Sequence, residues 1–86
     1  SAYQINEYPN VWDAPSGFYT LSGVTCLGLE GIPSELKKNA RVYLLKGKFT
    51  DQSFCAVFSP LQASIYTGYH YGATKTWKKL TGTIVT

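Results

Sequence analysis

The chain has 86 residues, with eight basic and five acidic side chains that give a formal net charge of +3. This length suits one domain with a modest core, and the scattered positive charge is too sparse for a nucleic-acid partner. No apolar run is long enough for membrane insertion, and the first residues lack the regions of a signal peptide. We therefore expect residues 1–86 to form a single domain, which is a mature form or an excised fragment of a longer protein.

Turn signals recur at short intervals and separate runs rich in β-branched and aromatic residues. In chain order, these runs predict strands at 17–21, 24–29, 41–49, 53–58, 64–69 and 76–80, with a last strand at 82–85. Residues 33–38 have proline near the start and lysine near the end, which predicts at most one short helical turn. The predicted fold class is all-β, as a small antiparallel meander, sandwich or barrel.

Two of the predicted strands differ in how their apolar side chains are distributed. In the strand 41–49 the two faces are less cleanly separated, as in a strand that is covered on both sides. The strand 53–58 alternates, with Phe54, Ala56 and Phe58 together on one face.

Aromatic side chains make up 15% of the chain, as seven tyrosines, four phenylalanines and two tryptophans. A core of this size cannot bury so many tyrosines without leaving hydroxyls unpaired, so the composition favours an interface or a binding surface. Tyrosine is also common in strands, so a purely structural role for these rings is the alternative.

Cys26 and Cys55 are the only cysteines, and each lies in an apolar, strand-like run. We predict two buried, reduced thiols, with a single Cys26–Cys55 disulfide as the alternative. The one histidine, His70, is not closely spaced with either cysteine, so we expect no metal site. Oligomerisation is then the remaining source of extra stability for so small a domain.

No residue pattern in the chain is typical of catalysis or of a cofactor site. His70 lies between Tyr69 and Tyr71, where a surface or stacking role is more common than that of a general base. The five acidic residues lie near turn signals, where carboxylates usually cap or stay solvated. A nucleophile elbow and a phosphate-binding glycine loop are absent from the sequence. We therefore expect a protein that is not an enzyme and needs no cofactor.

Two stretches combine aromatic rings with polar neighbours, which is the chemistry of a saccharide surface. Sugar C–H groups stack on the rings, and the polar neighbours pair with sugar hydroxyls. We predict a ligand-binding surface around Tyr66, Tyr69, His70 and Tyr71, with Trp12 and Asp13 as weaker candidates. We assign Trp77 and Leu80 to one packed edge of the core, although a binding role for this closing segment is the alternative.

The opening strand carries Pro15, Gly17, Phe18 and Tyr19, and the closing strand carries Trp77, Lys78, Lys79 and Leu80. In this order the chain resembles the distal modules of bacteriophage tail fibres, including the pyocin-knob group. The resemblance spans about residues 12–80.

The resemblance implies a distal, knob-like or head-like module of a tail fibre or baseplate receptor-binding protein. Such a module is a virion component that is assembled in the host cytoplasm, and this chain would be the C-terminal fragment of a longer fibre protein. The implied assembly is a homotrimer, and the implied partner is a bacterial cell-surface polysaccharide or wall polymer. Two alternatives are a structural or assembly module of the tail without a ligand, and a small secreted toxin or inhibitor with one disulfide.

Overall fold

A computed structural model describes residues 3–4, 8–22, 28–38, 41–60 and 63–86, the first pair by backbone alone. Its main feature is one sheet in which the strands follow one another in chain order. The strands are β1 (Tyr3–Gln4), β2 (Gly17–Ser22), β3 (Arg41–Lys48), β4 (Gln52–Ser59), β5 (Ser64–Tyr71) and β6 (Thr74–Thr81). β1 pairs in parallel with β2, and β2 to β6 form an antiparallel meander, which confirms the predicted all-β class.

Five of the predicted strands are confirmed, with ends that differ by no more than two residues. The predicted strand 82–85 is wrong, because residues 82–86 are exposed and lie outside the sheet. Of the predicted strand 24–29, residues 24–27 lie outside the described residues, while Gly28 and Leu29 are not in a strand. Leu29 instead belongs to the buried core.

Two short 3-10 turns occur in the described residues, at Val11–Asp13 and Ser34–Lys38. The second coincides with the predicted helical turn, and the first was not predicted. Asn10 begins the first turn, because its side chain accepts a hydrogen bond from the Trp12 backbone N–H at 3.0 Å. No helix in the described part of the chain is long and apolar enough to cross a membrane.

The hairpin between β5 and β6 has a two-residue loop, since Tyr71 pairs with Thr74. Its first loop residue, Gly72, has a φ of 60°, which glycine adopts without steric cost. This turn fixes the register of β6 on β5, so that Gly68 lies beside Trp77 and Ile65 beside Leu80.

Strand alternation gives the sheet a covered face and an open face. The covered face packs against the segments that contain the two 3-10 turns. Its core side chains include Tyr19, Leu21, Val42, Leu44, Val57 and Tyr66, which meet Val11, Trp12, Leu29, Ile32 and Leu36 of the covering segments. The open face carries the side chains at even positions of β2, β4 and β6 and at odd positions of β3 and β5.

Trp77 packs against the covered face, as predicted, and its Nε1–H donates to the Gly31 carbonyl oxygen at 2.9 Å. Leu80 does not share that packed edge, because it lies on the open face and is 62% exposed. The pairing of β6 with β5 continues in register through both residues, so no bulge brings them to one face.

Cys55 has a free thiol and is buried, as predicted. Burial raises the pKa of this thiol to about 12, against an opposing effect of the nearby Lys46 ammonium. Cys26 lies outside the described residues.

Candidate functional site

The tyrosines and the histidine predicted to bind a ligand are divided between the two faces of the sheet. In β5, Tyr66 and His70 point to the covered face, whereas Tyr69 and Tyr71 point to the open face. Side chains that follow one another along a strand alternate in direction, so this stretch cannot present one continuous surface. Of the four, only Tyr69 and Tyr71 therefore share the open face.

Tyr66 ties the sheet to the second 3-10 turn. It is 2% exposed, and its hydroxyl donates a hydrogen bond to Glu35. Lys79 pairs with the same carboxylate at 2.7 Å, and its Nζ lies 5.6 Å from the centroid of the Tyr66 ring. The hydrogen bond from Lys79 lowers the pKa of Glu35, while burial and the bond to Glu35 raise the pKa of Tyr66. These contacts give Tyr66 a structural role.

Trp12 and His70 also belong to the covered face. Trp12 is 5% exposed, and its ring centroid lies 5.2 Å from that of His70 and 5.4 Å from that of Trp77. His70 Nε2 lies 3.1 Å from the Gly72 carbonyl oxygen. Asp13 is exposed at the end of the first 3-10 turn, whose Val11 and Trp12 pack into the core on the covered face.

Lys46 holds the first 3-10 turn against the sheet, a contact that the sequence did not predict. Its side chain is buried, and Nζ donates to the carbonyl oxygens of Val11, Trp12 and Ala14 at 3.0, 3.1 and 2.6 Å. Desolvation lowers the pKa of Lys46. Three backbone oxygens satisfy the hydrogen-bonding capacity of the buried ammonium, so these contacts give Lys46 a structural role.

The open face contains a group of large apolar side chains that we call the apolar patch. Cross-strand pairing places Tyr43, Phe58, Ile65 and Leu80 in one row across β3 to β6. The neighbouring row adds Phe18 and Leu45, and the rings of Phe18 and Tyr43 stack with centroids 5.7 Å apart. The apolar patch consists of Phe18, Tyr43, Leu45, Phe58, Ile65 and Leu80, which are 37–62% exposed.

Beside the apolar patch lies a depression that we call the polar cleft. It has a volume of about 360 Å³ and is lined on the open face by Phe54, Thr67, Tyr69, Thr76 and Lys78. The rings of Phe54 and Tyr69 lie 5.3 Å apart at 43°. Two hydroxyls and one ammonium surround this pair, so the polar cleft offers both stacking area and hydrogen-bond partners.

A second depression of about 370 Å³ lies on the other side of Phe54, and Leu45, Phe49 and Ala56 contribute to its walls. Its lining is more apolar than that of the polar cleft. The ring of Phe49 meets Phe54 edge-on at 5.7 Å, which supports the Phe54 ring from this side.

The described residues contain no cluster of three His, Cys, Asp or Glu side chains that could hold a metal ion. Searches of family models, curated proteins and solved structures find no match to the chain. The resemblance to tail-fibre modules therefore stays a prediction from short motifs.

Proposed function

We propose that this chain is a non-enzymatic attachment module of a phage tail fibre or baseplate protein. It binds a bacterial cell-surface saccharide at the polar cleft, as a component of the virion. The observation that carries the proposal is the Phe54–Tyr69 ring pair surrounded by the polar side chains of Thr67, Thr76 and Lys78.

The polar cleft suits a sugar in both shape and chemistry. Its volume falls within the range of about 300–1,000 Å³ that small-ligand sites occupy. Tilted rings offer their faces to the C–H groups of a sugar, and the two threonine hydroxyls pair with sugar hydroxyls in either direction. The ammonium of Lys78 favours polymers that carry carboxylate or phosphate groups.

A single cleft of this kind binds weakly, since much of it is open to water. When one copy on a particle has bound the polymer, the effective concentration of that polymer rises at the clefts of the other copies. Attachment of a virion to a cell therefore does not require tight binding by one copy.

The proposal is tested by titrating the protein with purified cell-wall polysaccharide and following backbone amide shifts by NMR. We expect shifts around the polar cleft, which Tyr69→Ala and Lys78→Gln should abolish or weaken at least about tenfold. Lys75→Gln is the matched control, because Lys75 is an exposed lysine of the same strand at an odd position, on the other face.

If the cleft variants bind the polysaccharide as well as wild type does, the ligand site does not lie in the polar cleft. If no anionic or neutral wall polymer shifts any cleft residue, the saccharide function itself fails. The second candidate is then an assembly module without a ligand of its own, which the apolar patch favours.

A further inference from the structure

The apolar patch has the composition of a protein–protein contact and is large for the surface of a monomeric protein. Its six side chains together expose on the order of 500 Å² of apolar surface, given free side-chain areas of about 150–250 Å². That is near the upper end for the largest patch on a monomeric protein, which is often functional. Scattered apolar residues need no explanation, but these six are contiguous across five strands.

We propose that two copies of this chain pair face to face through the apolar patch. The occupant of the open face is thus a second copy, related to the first by a two-fold axis. In such a contact each copy presents the same surface, and two sheets packed about 10 Å apart form the core of a β-sandwich.

The available area supports a pair of copies. The six side chains expose on the order of 500 Å² per copy, so a pair that covers the apolar patch on both copies buries about 1,000 Å² in total. A specific interface should reach about this area, and interfaces below about 1,200 Å² are typical of transient contacts. The pair is therefore expected to dissociate and reform, with an affinity that depends on the quality of packing.

The charges around the patch also suit this arrangement. The six patch residues are uncharged, whereas Arg41 begins β3 and Lys78 lies on β6, at the border of the patch. Both side chains are exposed and long enough to stay in water at the rim, as charged residues usually do in interfaces. A second copy consequently does not place buried like charges opposite one another.

The edge of the sheet is less suited to association than its face. β6 carries Lys75, Lys78 and Lys79, and lysines on an edge strand oppose pairing with another strand. β3, in contrast, carries Val42 and Leu44 on the covered face and Tyr43 and Leu45 on the open face. Strands with apolar side chains on both faces are typical of sheets that are covered on both sides.

Pairing leaves part of the open face free for a ligand. Tyr69 and Thr76 lie four residues along their strands from Ile65 and Leu80, which corresponds to about 13 Å. The apolar patch and the far end of the polar cleft are therefore separate regions of one face, and substitutions can test them independently.

Sedimentation equilibrium over micromolar to millimolar concentrations tests the pairing. We expect wild-type protein to shift from monomer to dimer, and Ile65→Glu to weaken the dimer at least about 100-fold, because it buries an unpaired charge. Ile84→Glu is the matched control: Ile84 is 88% exposed and outside the sheet, so this variant should dimerise like wild type.

Circular dichroism establishes that each variant is folded. Should Ile65→Glu unfold, Leu80→Glu at the more exposed edge of the patch takes its place, with the same expected loss of dimer. A wild-type protein that stays monomeric to millimolar concentration would overturn the pairing, and so would a dimer that survives the patch substitutions. A trimer would support the homotrimer that the resemblance implies and would overturn the two-fold pair.

Discussion

The indole ring of Trp77 lies directly against the backbone of its cross-strand neighbour Gly68. A Cβ added to Gly68 would meet ring atoms of Trp77 at 2.7–2.8 Å, closer than real contacts of this kind. The absence of a side chain at Gly68 thus allows the indole to lie on the sheet and reach the Gly31 carbonyl oxygen.

We expect Gly68→Ala to destabilise the protein by about 1–3 kcal/mol, because the indole must move and its bond to Gly31 is strained. Urea denaturation followed by tryptophan fluorescence measures the change. Gly47→Ala is the control, since a Cβ there meets only Phe49 at an ordinary 3.9 Å. If the two substitutions lower the free energy of unfolding equally, the close packing of Trp77 is not the reason for glycine at position 68.

Truncation of Trp77 itself should be more costly than truncation of Leu80. Trp77→Ala removes an indole that packs on Trp12 and donates to Gly31, and we expect a loss of about 3 kcal/mol in the free energy of unfolding. Leu80→Ala should change it by no more than about 0.5 kcal/mol in the monomer. A large effect of Leu80→Ala in dilute solution would contradict its placement on the open face.

Lys46→Met should destabilise the protein by about 2–4 kcal/mol, although methionine fills a similar volume. The substitution leaves the carbonyl oxygens of residues 11, 12 and 14 without their shared donor. Lys48→Met, at an exposed position of the same strand, is the control and should be nearly neutral. Thermal unfolding of the two variants provides the comparison, and similar melting temperatures would refute the anchoring role of Lys46.

The pairing of Glu35 with Lys79 should make stability depend on pH in the acid range. The pKa of Glu35 is lowered in the folded state, so its stabilising effect is present above the unfolded pKa and is lost as pH falls through the folded pKa. Denaturation curves between neutral pH and about pH 3 should show a smaller acid loss for Lys79→Gln than for wild type. An unchanged pH dependence in Lys79→Gln would show that the pair does not contribute.

His70 and Tyr69 should respond differently to truncation, although they are adjacent in sequence. His70→Ala removes a ring that contacts Trp12, so we expect a loss of about 1 kcal/mol in stability and unchanged attachment of the folded protein. Tyr69→Ala should leave stability nearly unchanged and reduce adsorption of the assembled particle to cells. Loss of adsorption in a stably folded His70→Ala variant would restore the ligand role that the sequence predicts for this histidine.

The strands could be predicted from the sequence because turn residues and alternation are local signals. The face that Phe54, Ala56 and Phe58 share is confirmed. The strand 41–49 was expected to be covered on both sides, but the side chains of β3 alternate between buried and exposed, so only one of its faces is covered in the structure. The sequence was less informative about β6, where Leu80 follows Trp77 by three residues. A spacing of three places two side chains on opposite faces of a regular strand, so the expected common edge would need a bulge that is absent.

The candidate site was harder to predict, since its residues come from three strands. Phe54, Tyr69 and Lys78 become neighbours only through the pairing of β4 with β5 and of β5 with β6. Pairing between separate strands leaves no spacing signal in a single sequence. The sequence singled out Tyr69 but grouped it with Tyr66, although a spacing of three places the two side chains on opposite faces of a regular strand.

The order of the strands also has consequences for how the chain folds. From β2 to β6 every strand pairs with its neighbours in the sequence, and three of these four pairings close through short connections. Hairpins of this type form within microseconds, whereas contacts between distant residues form later, at a larger entropic cost. The bonds from Lys46 to residues 11–14 span more than 30 positions, and they close the covered side of the sheet. We therefore expect docking of this covering segment to follow the formation of the hairpins, and until it occurs both surfaces of the sheet expose apolar side chains and are prone to aggregate.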